Sequence, residues 1–351
     1  MKRSLMRPTA ALFPAVLLLA AIFGNQISVN GLFVNWCMIQ LLSLCSVDSF
    51  RNAAAREPGV RRVDRRFSGA FLTILLGIAA TGLIQWRSKL FSFRTGDVLL
   101  LVAAATAIIE QMFEERMFAL SHPSDGAILS VVSNLLLLAG LLLDSSGGVA
   151  APVQAFYTAC GAGLGIMISI AASYVIEPMH GFSLSPRNIA FFPKAAVQTL
   201  LYPAVTFVLS AILIRLKPEK GSLNDVFRME YQVIFAGWIL WRLSRTICRR
   251  AGDESRPLNL LLIAAAAIPV LACAWLPAQG YAAAATLVLV CAAIVFCAPG
   301  ARFYGGAALV LAAFALQIWR PLPEMWNTIA MAVCCAVAVA LNLHKAFIRR
   351  V

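Results

Sequence analysis

Three carboxylates and a guanidinium, Glu110, Glu114, Glu115 and Arg116, close an apolar run that begins near residue 97. Glu110 lies deepest in that run, and Glu114 follows one helical turn later on the same face. An ionisable group inside an apolar span is costly, and its common uses are ion binding and proton relay. Glu110 is therefore the candidate ion-pathway carboxylate. Asn134, a polar group inside a later apolar run, is the second candidate on that path. Glu114, Glu115 and Arg116 are expected to reach the headgroup region and end the helix there. Asn30, Asn35 and Gln40 are further polar groups beside or within apolar runs, and interhelical hydrogen bonding is their commoner use.

The nine cysteines include Cys37, Cys45 and Cys160. No CxxC pair occurs, so neither a zinc site nor a redox dithiol is spelled out. The default for each is a small apolar packing residue. His122, His180 and His344 have no metal-ligand spacing between them and are expected at membrane interfaces. No nucleotide-binding loop, dinucleotide fingerprint or hydrolytic triad is present. Whatever chemistry the chain performs uses these few polar groups or takes place on a partner.

The elements that must position them are helices in lipid. Of the 351 residues 61% are hydrophobic and 13% charged, with a mean hydropathy of +0.82. Soluble proteins carry about a quarter charged residues, and so apolar a chain cannot bury its surface in one globule. A span needs about 20 mostly apolar residues. About twelve such stretches occur, near 9–24, 30–47, 68–85, 97–118, 126–143, 152–175, 192–214, 229–244, 258–276, 281–298, 303–319 and 327–343. Period-2 alternation is missing, so the fold class is all-α, a polytopic membrane helical bundle.

The net charge of +13 does not point to nucleic acid, because the cations sit at span ends. Arg51, Arg56, Arg61, Arg62, Arg65 and Arg66 fill one loop, and Arg242, Arg245, Arg249, Arg250 and Arg256 another. With both termini cytoplasmic, these loops fall inside and the outer loops carry fewer cations, as the positive-inside rule requires. The loop at 86–97 runs against that bias. Residues 1–26 have the basic start and apolar run of a signal peptide, without a clean small-x-small cleavage site, and retention as the first span is expected.

The spans at 30–118 and 126–214 form two groups of three. An odd number per group inverts the second, and inverted repeats commonly place a site near the midplane. The boundary to a further helical module is placed at 215, giving domains 1–215 and 216–351.

One segment, Gln40-Leu-Leu-Ser-Leu-Cys45, resembles the first helix of the paired small membrane subunits of the Rnf/Nqr redox pumps. Later features follow that family's order over roughly residues 25–215. Arg94 precedes a helix with late Glu110. Ser133-Asn134 is followed by Gly140. Gly163-Leu164-Gly165 opens a helix ending at Glu177, and Phe192-Pro193-Lys194-Ala195 begins the last matching helix. The resemblance implies a membrane subunit of a complex that couples electron transfer to ion translocation, an electron relay rather than a catalyst. It implies a homologous inverted partner subunit and an iron–sulfur cluster shared with it, held through Cys45. The family's second cysteine falls at Leu135, which cannot ligate iron, and the arginine of its Arg-Glu pair is Ile176. The alternative reading is a multi-pass transporter or membrane scaffold without a redox role. Either way, the chain belongs in the cell membrane.

Overall fold

In a computed structural model, the described residues are 11–24, 26–54, 59–87, 95–143 and 151–180, with parts of 182–192 and scattered positions from 235 to 340. Two compact units divide the chain: Phe23–Leu201 forms one, and Met1–Ile22 with Tyr202–Val351 the other. In the latter, α1 (Leu12–Phe23) buries Phe13, Val16, Leu17 and Ala20, the i, i+3, i+4, i+7 stripe of a helix packed on one side.

The unit Phe23–Leu201 contains α2 (Gln26–Leu42), α3 (Val47–Ala54), α4 (Val60–Arg87), α5 (Thr95–Ala119), α6 (Pro123–Leu143) and α7 (Ala151–Ile176). No strand occurs among the described residues. Four of these helices, α4 to α7, are long and apolar enough to cross a membrane. They match the stretches expected at 68–85, 97–118, 126–143 and 152–175, and the chain is a multi-pass helical membrane protein. The expected spans from 192 onward and the boundary at 215 lie outside the described residues.

α5 is the axis of this unit. It packs against α2, α3, α4, α6 and α7, while α7 packs on α5 and α6. Between α6 and α7 the backbones themselves meet. A methyl added at Gly140 would lie 2.5 Å from the Tyr157 carbonyl oxygen, and Gly161 is pressed equally hard against the Leu136 carbonyl. Small residues let membrane helices approach this closely, where dispersion rather than water drives association. Gly140→Val should therefore lower stability by about 1–3 kcal/mol through overpacking. Thermal unfolding of the detergent-purified protein measures it, and an unchanged midpoint would mean that the seam yields.

The expected span 30–47 does not run through. α2 stops at Leu42 although Leu44 and Cys45 continue the apolar run. Leu44 takes a left-handed φ of 50°, the Leu44 N–H donates to Leu41 O at 3.1 Å and the Cys45 N–H to Gln40 O at 3.3 Å. This pair of bonds is the Schellman ending of a helix. Gln40 Oε1 then accepts the Val47 N–H at 3.1 Å, and Ser46 and Ser49 cap each other's backbone at the start of α3. The Gln40–Cys45 segment is thus the turn chemistry that ends one helix and starts another. α5 ends the same way, with Ser121 at φ 70° and the His122 N–H donating to Met117 O at 3.0 Å.

Candidate functional site: buried carboxyls among three helices

The last turns of α5 are buried all round. From Glu110 to Met117 every residue is inside, including Glu110, Gln111, Glu114, Glu115 and Arg116. Buried charges need partners, and the helix sorts its polar groups between two faces.

On one face, α5 meets the basic end of the bundle. Arg116 Nε donates to Asp64 Oδ1 at 2.7 Å, and neither side chain has any solvent exposure. Arg116 also donates through Nη1 to Ser173 Oγ at 3.4 Å. Its Nη2 donates to the Glu177 and Pro178 carbonyls at 3.0 and 3.4 Å. Asp64 Oδ2 accepts the His180 N–H at 2.7 Å. A single ion pair therefore binds α4, α5 and the chain leaving α7. Glu115 pairs with Arg51 of α3. Glu115 and Arg116, expected at headgroup level, are structural ties inside the protein. Phe67 packs one turn from Asp64, with ring centroids 4.9 Å from Phe113 and 5.7 Å from Phe50, which keeps water from the pair.

The other face carries no such compensation. Glu110 and Glu114 lie one turn apart on the same side of α5, both buried. Ser169 Oγ of α7 donates to Glu110 Oε1 at 3.2 Å, and Ser133 Oγ of α6 lies 3.4 Å from Ser169 Oγ. Gly165, across the seam, leaves the room that Ser133 occupies. No basic side chain pairs with either carboxyl among the described residues. Glu114 Oε1, Ser130 Oγ and Gln111 Oε1 are buried and have no hydrogen-bond partner. Two buried carboxyls one turn apart, met by the Ser169 hydroxyl, are groups that can bind a proton or, when both are ionised, a small cation.

The sequence-derived candidates divide accordingly. Glu110 sits at the centre of the cluster. Asn134 is buried and donates its amide to Ser130 O of its own helix at 2.8 Å. Cys45 is buried, and Leu135 lies on the outer face of α6, 58% exposed. Cys37 is buried and Cys160 exposed. A cluster needs thiolate donors, usually four. Among the described residues no three His, Cys, Asp or Glu side chains gather to hold a metal ion. The donor set for a cluster is not assembled there, and no step through one is derived. His122 lies between two carboxylates, Asp125 at 3.5 Å and Glu177 at 3.6 Å, and His344 is outside the described residues. Asp64, Ser169 and Ser173 were not legible as site residues. The one signal for Asp64 was an acid set among four arginines in Arg61-Arg-Val-Asp-Arg-Arg66.

No family model matches the chain, and no curated protein matches it. Among solved structures, it is similar to the outward-facing conformation of a multidrug resistance MATE family transporter of the MOP superfamily. The TM-score is 0.58 at 13% identity, over 97% of this chain and 96% of that one. The fold is shared along nearly the whole length. This corrects the Rnf/Nqr resemblance, which reached only residues 25–215 and left 216–351 without a counterpart. The physical reason for the misreading is the Gln40–Cys45 turn, whose residues cap helices.

Proposed function

We propose that the chain is a secondary transporter of the cell membrane, driven by a proton gradient through the Glu110–Glu114 pair, with its arginine-rich end cytoplasmic. The observation that carries this reading is the pair of buried carboxyls one turn apart on α5, with no cation paired to either among the described residues. A structural carboxyl would be expected to have a basic partner, as Asp64 and Glu115 do. The fold shared with a solved transporter supports the transport half of the reading. Because that neighbour is described as a multidrug resistance transporter, drug-like organic compounds are the substrate class to try first, with lipophilic cations as fluorescent probes of it.

Full-length protein reconstituted in vesicles tests it. An imposed pH gradient should drive movement of a fluorescent lipophilic cation above the rate of empty vesicles. Collapsing the gradient with a protonophore should return it to that background. Flux indifferent to the gradient would overturn the coupling, and no flux across a panel of such cations would overturn the substrate class.

A further inference from the structure

A serine or threonine inside an apolar helix ordinarily donates back to the carbonyl one turn earlier. In α4, Ser68, Thr73 and Thr81 all do so, to the Asp64, Gly69 and Gly77 carbonyls. Ser130 of α6 does not. Its side chain is fully buried, and its hydroxyl has no hydrogen-bond partner. Glu114 Oε1 of α5 is buried and has none either. An unpaired buried polar atom is costly, so two of them in one region need a physical account.

Both atoms face the seam between α5 and α6. These helices pack together and are joined by residues 120–122 alone, which makes them antiparallel neighbours. Gly126 stands against α5, since a methyl there would lie 3.2 Å from the Phe118 ring and 3.3 Å from the Glu114 carbonyl oxygen. Ser130 follows Gly126 by one turn on the same face. Ser133, a turn further, reaches Glu110 through Ser169. Ser130 therefore stands at the level between Glu114 and Glu110. This seam is also the short way to water. Glu114 is about 8 Å of helix from the end of α5 at Ala119, whereas Glu110 is about 23 Å from its start at Thr95. Just past that nearer end, Ser121 is exposed.

We infer that Ser130 is a positioning residue for proton transfer: with Glu114 Oε1 it holds a water through which protons pass between the carboxyl pair and the arginine-rich end of the bundle. A buried water needs polar partners of this kind, and a hydroxyl suits the post because it donates and accepts at once. In each transfer one O–H bond of the water breaks and one forms on the Glu114 carboxylate. A hydronium ion from the solvent side returns a proton to the water and becomes water itself. Glu114 is then the outer carboxyl, and Glu110, held by Ser169, the inner one. The inference rests on the transport reading of the Glu110–Glu114 pair.

The test is uptake of a fluorescent lipophilic cation into vesicles holding the full-length protein, measured with an imposed pH gradient and again as one-for-one exchange without it. Ser130→Thr keeps the hydroxyl, and Ser130→Val has the shape of threonine without it. The valine variant should lose about tenfold or more of gradient-driven uptake, the scale of a positioned proton relay, with exchange unchanged. The threonine variant should keep most of both. In D2O the valine variant should slow by a larger factor than the threonine variant, because proton delivery has become its slow step. If valine does not fold in this seam, Ser130→Ala takes its place against threonine. Equal gradient-driven uptake in the two variants, fast or slow, would overturn the relay, and so would an isotope effect no larger without the hydroxyl. Gradient-driven uptake retained in Glu110→Gln would overturn the coupling itself, whatever Ser130 does.

Discussion

Glu110→Gln is expected to abolish gradient-driven transport while leaving exchange of substrate across the membrane intact. Glutamine keeps the length of the side chain and still accepts a hydrogen bond from Ser169 Oγ, which meets Glu110 Oε1 at 3.2 Å. Its amide can donate to Glu114, so the buried pair stays satisfied and the fold should hold. What glutamine cannot do is release and regain a proton. Net transport against a gradient needs that step, whereas one-for-one exchange needs none, because each half-cycle returns the site unchanged. Glu114→Gln should behave alike, since in the proposed mechanism the two carboxyls share one proton. The measurement is uptake of labelled substrate into vesicles, once with an imposed pH gradient and once with unlabelled substrate inside. Loss of both activities at normal protein yield would assign Glu110 to substrate binding, and retention of both would remove it from the mechanism.

The second large effect is on folding. Arg116→Met and Asp64→Asn should each destabilise the protein by about 3–5 kcal/mol, because each strands the other member of a fully buried ion pair. Asp64→Asn should be the harsher. A guanidinium cannot shed its charge in a protein, and it would be left with Ser173 and two carbonyls for partners. The double variant Asp64→Asn/Arg116→Met should recover most of the loss, since the charge is removed with its partner. Unfolding midpoints of the four proteins in detergent give the coupling directly. Additive losses in the double variant would show that the two residues act separately.

Much of this architecture could be read from the chain. Apolar runs of the right length placed α4, α5, α6 and α7, because lipid leaves the backbone no option but helix. Glu110 stood out as well, since a carboxylate inside such a run is costly wherever it points. Its surroundings did not. Ser133 and Ser169 are unremarkable in sequence and become partners only when α6 and α7 bring them to α5. Asp64 is 52 residues from Arg116, and nothing local in a basic stretch reveals which acid turns inward. The stop after Leu42 escaped for a different reason. Leu41, Leu42, Leu44 and Cys45 keep the run apolar, and the helix ends through a backbone angle at Leu44 that hydrophobicity does not record. The same turn accounts for the redox-pump resemblance, because a run of leucine, serine and cysteine suits both a helix cap and a ligand segment.

Where Gly140 and Gly161 press backbone on backbone, no side chain stands between α6 and α7 to flex. The two helices are locked along that seam, while α7 is also packed closely on α5. On the proposed mechanism, a movement that carries Ser169 away from Glu110 either takes Ser133 with it or parts this seam.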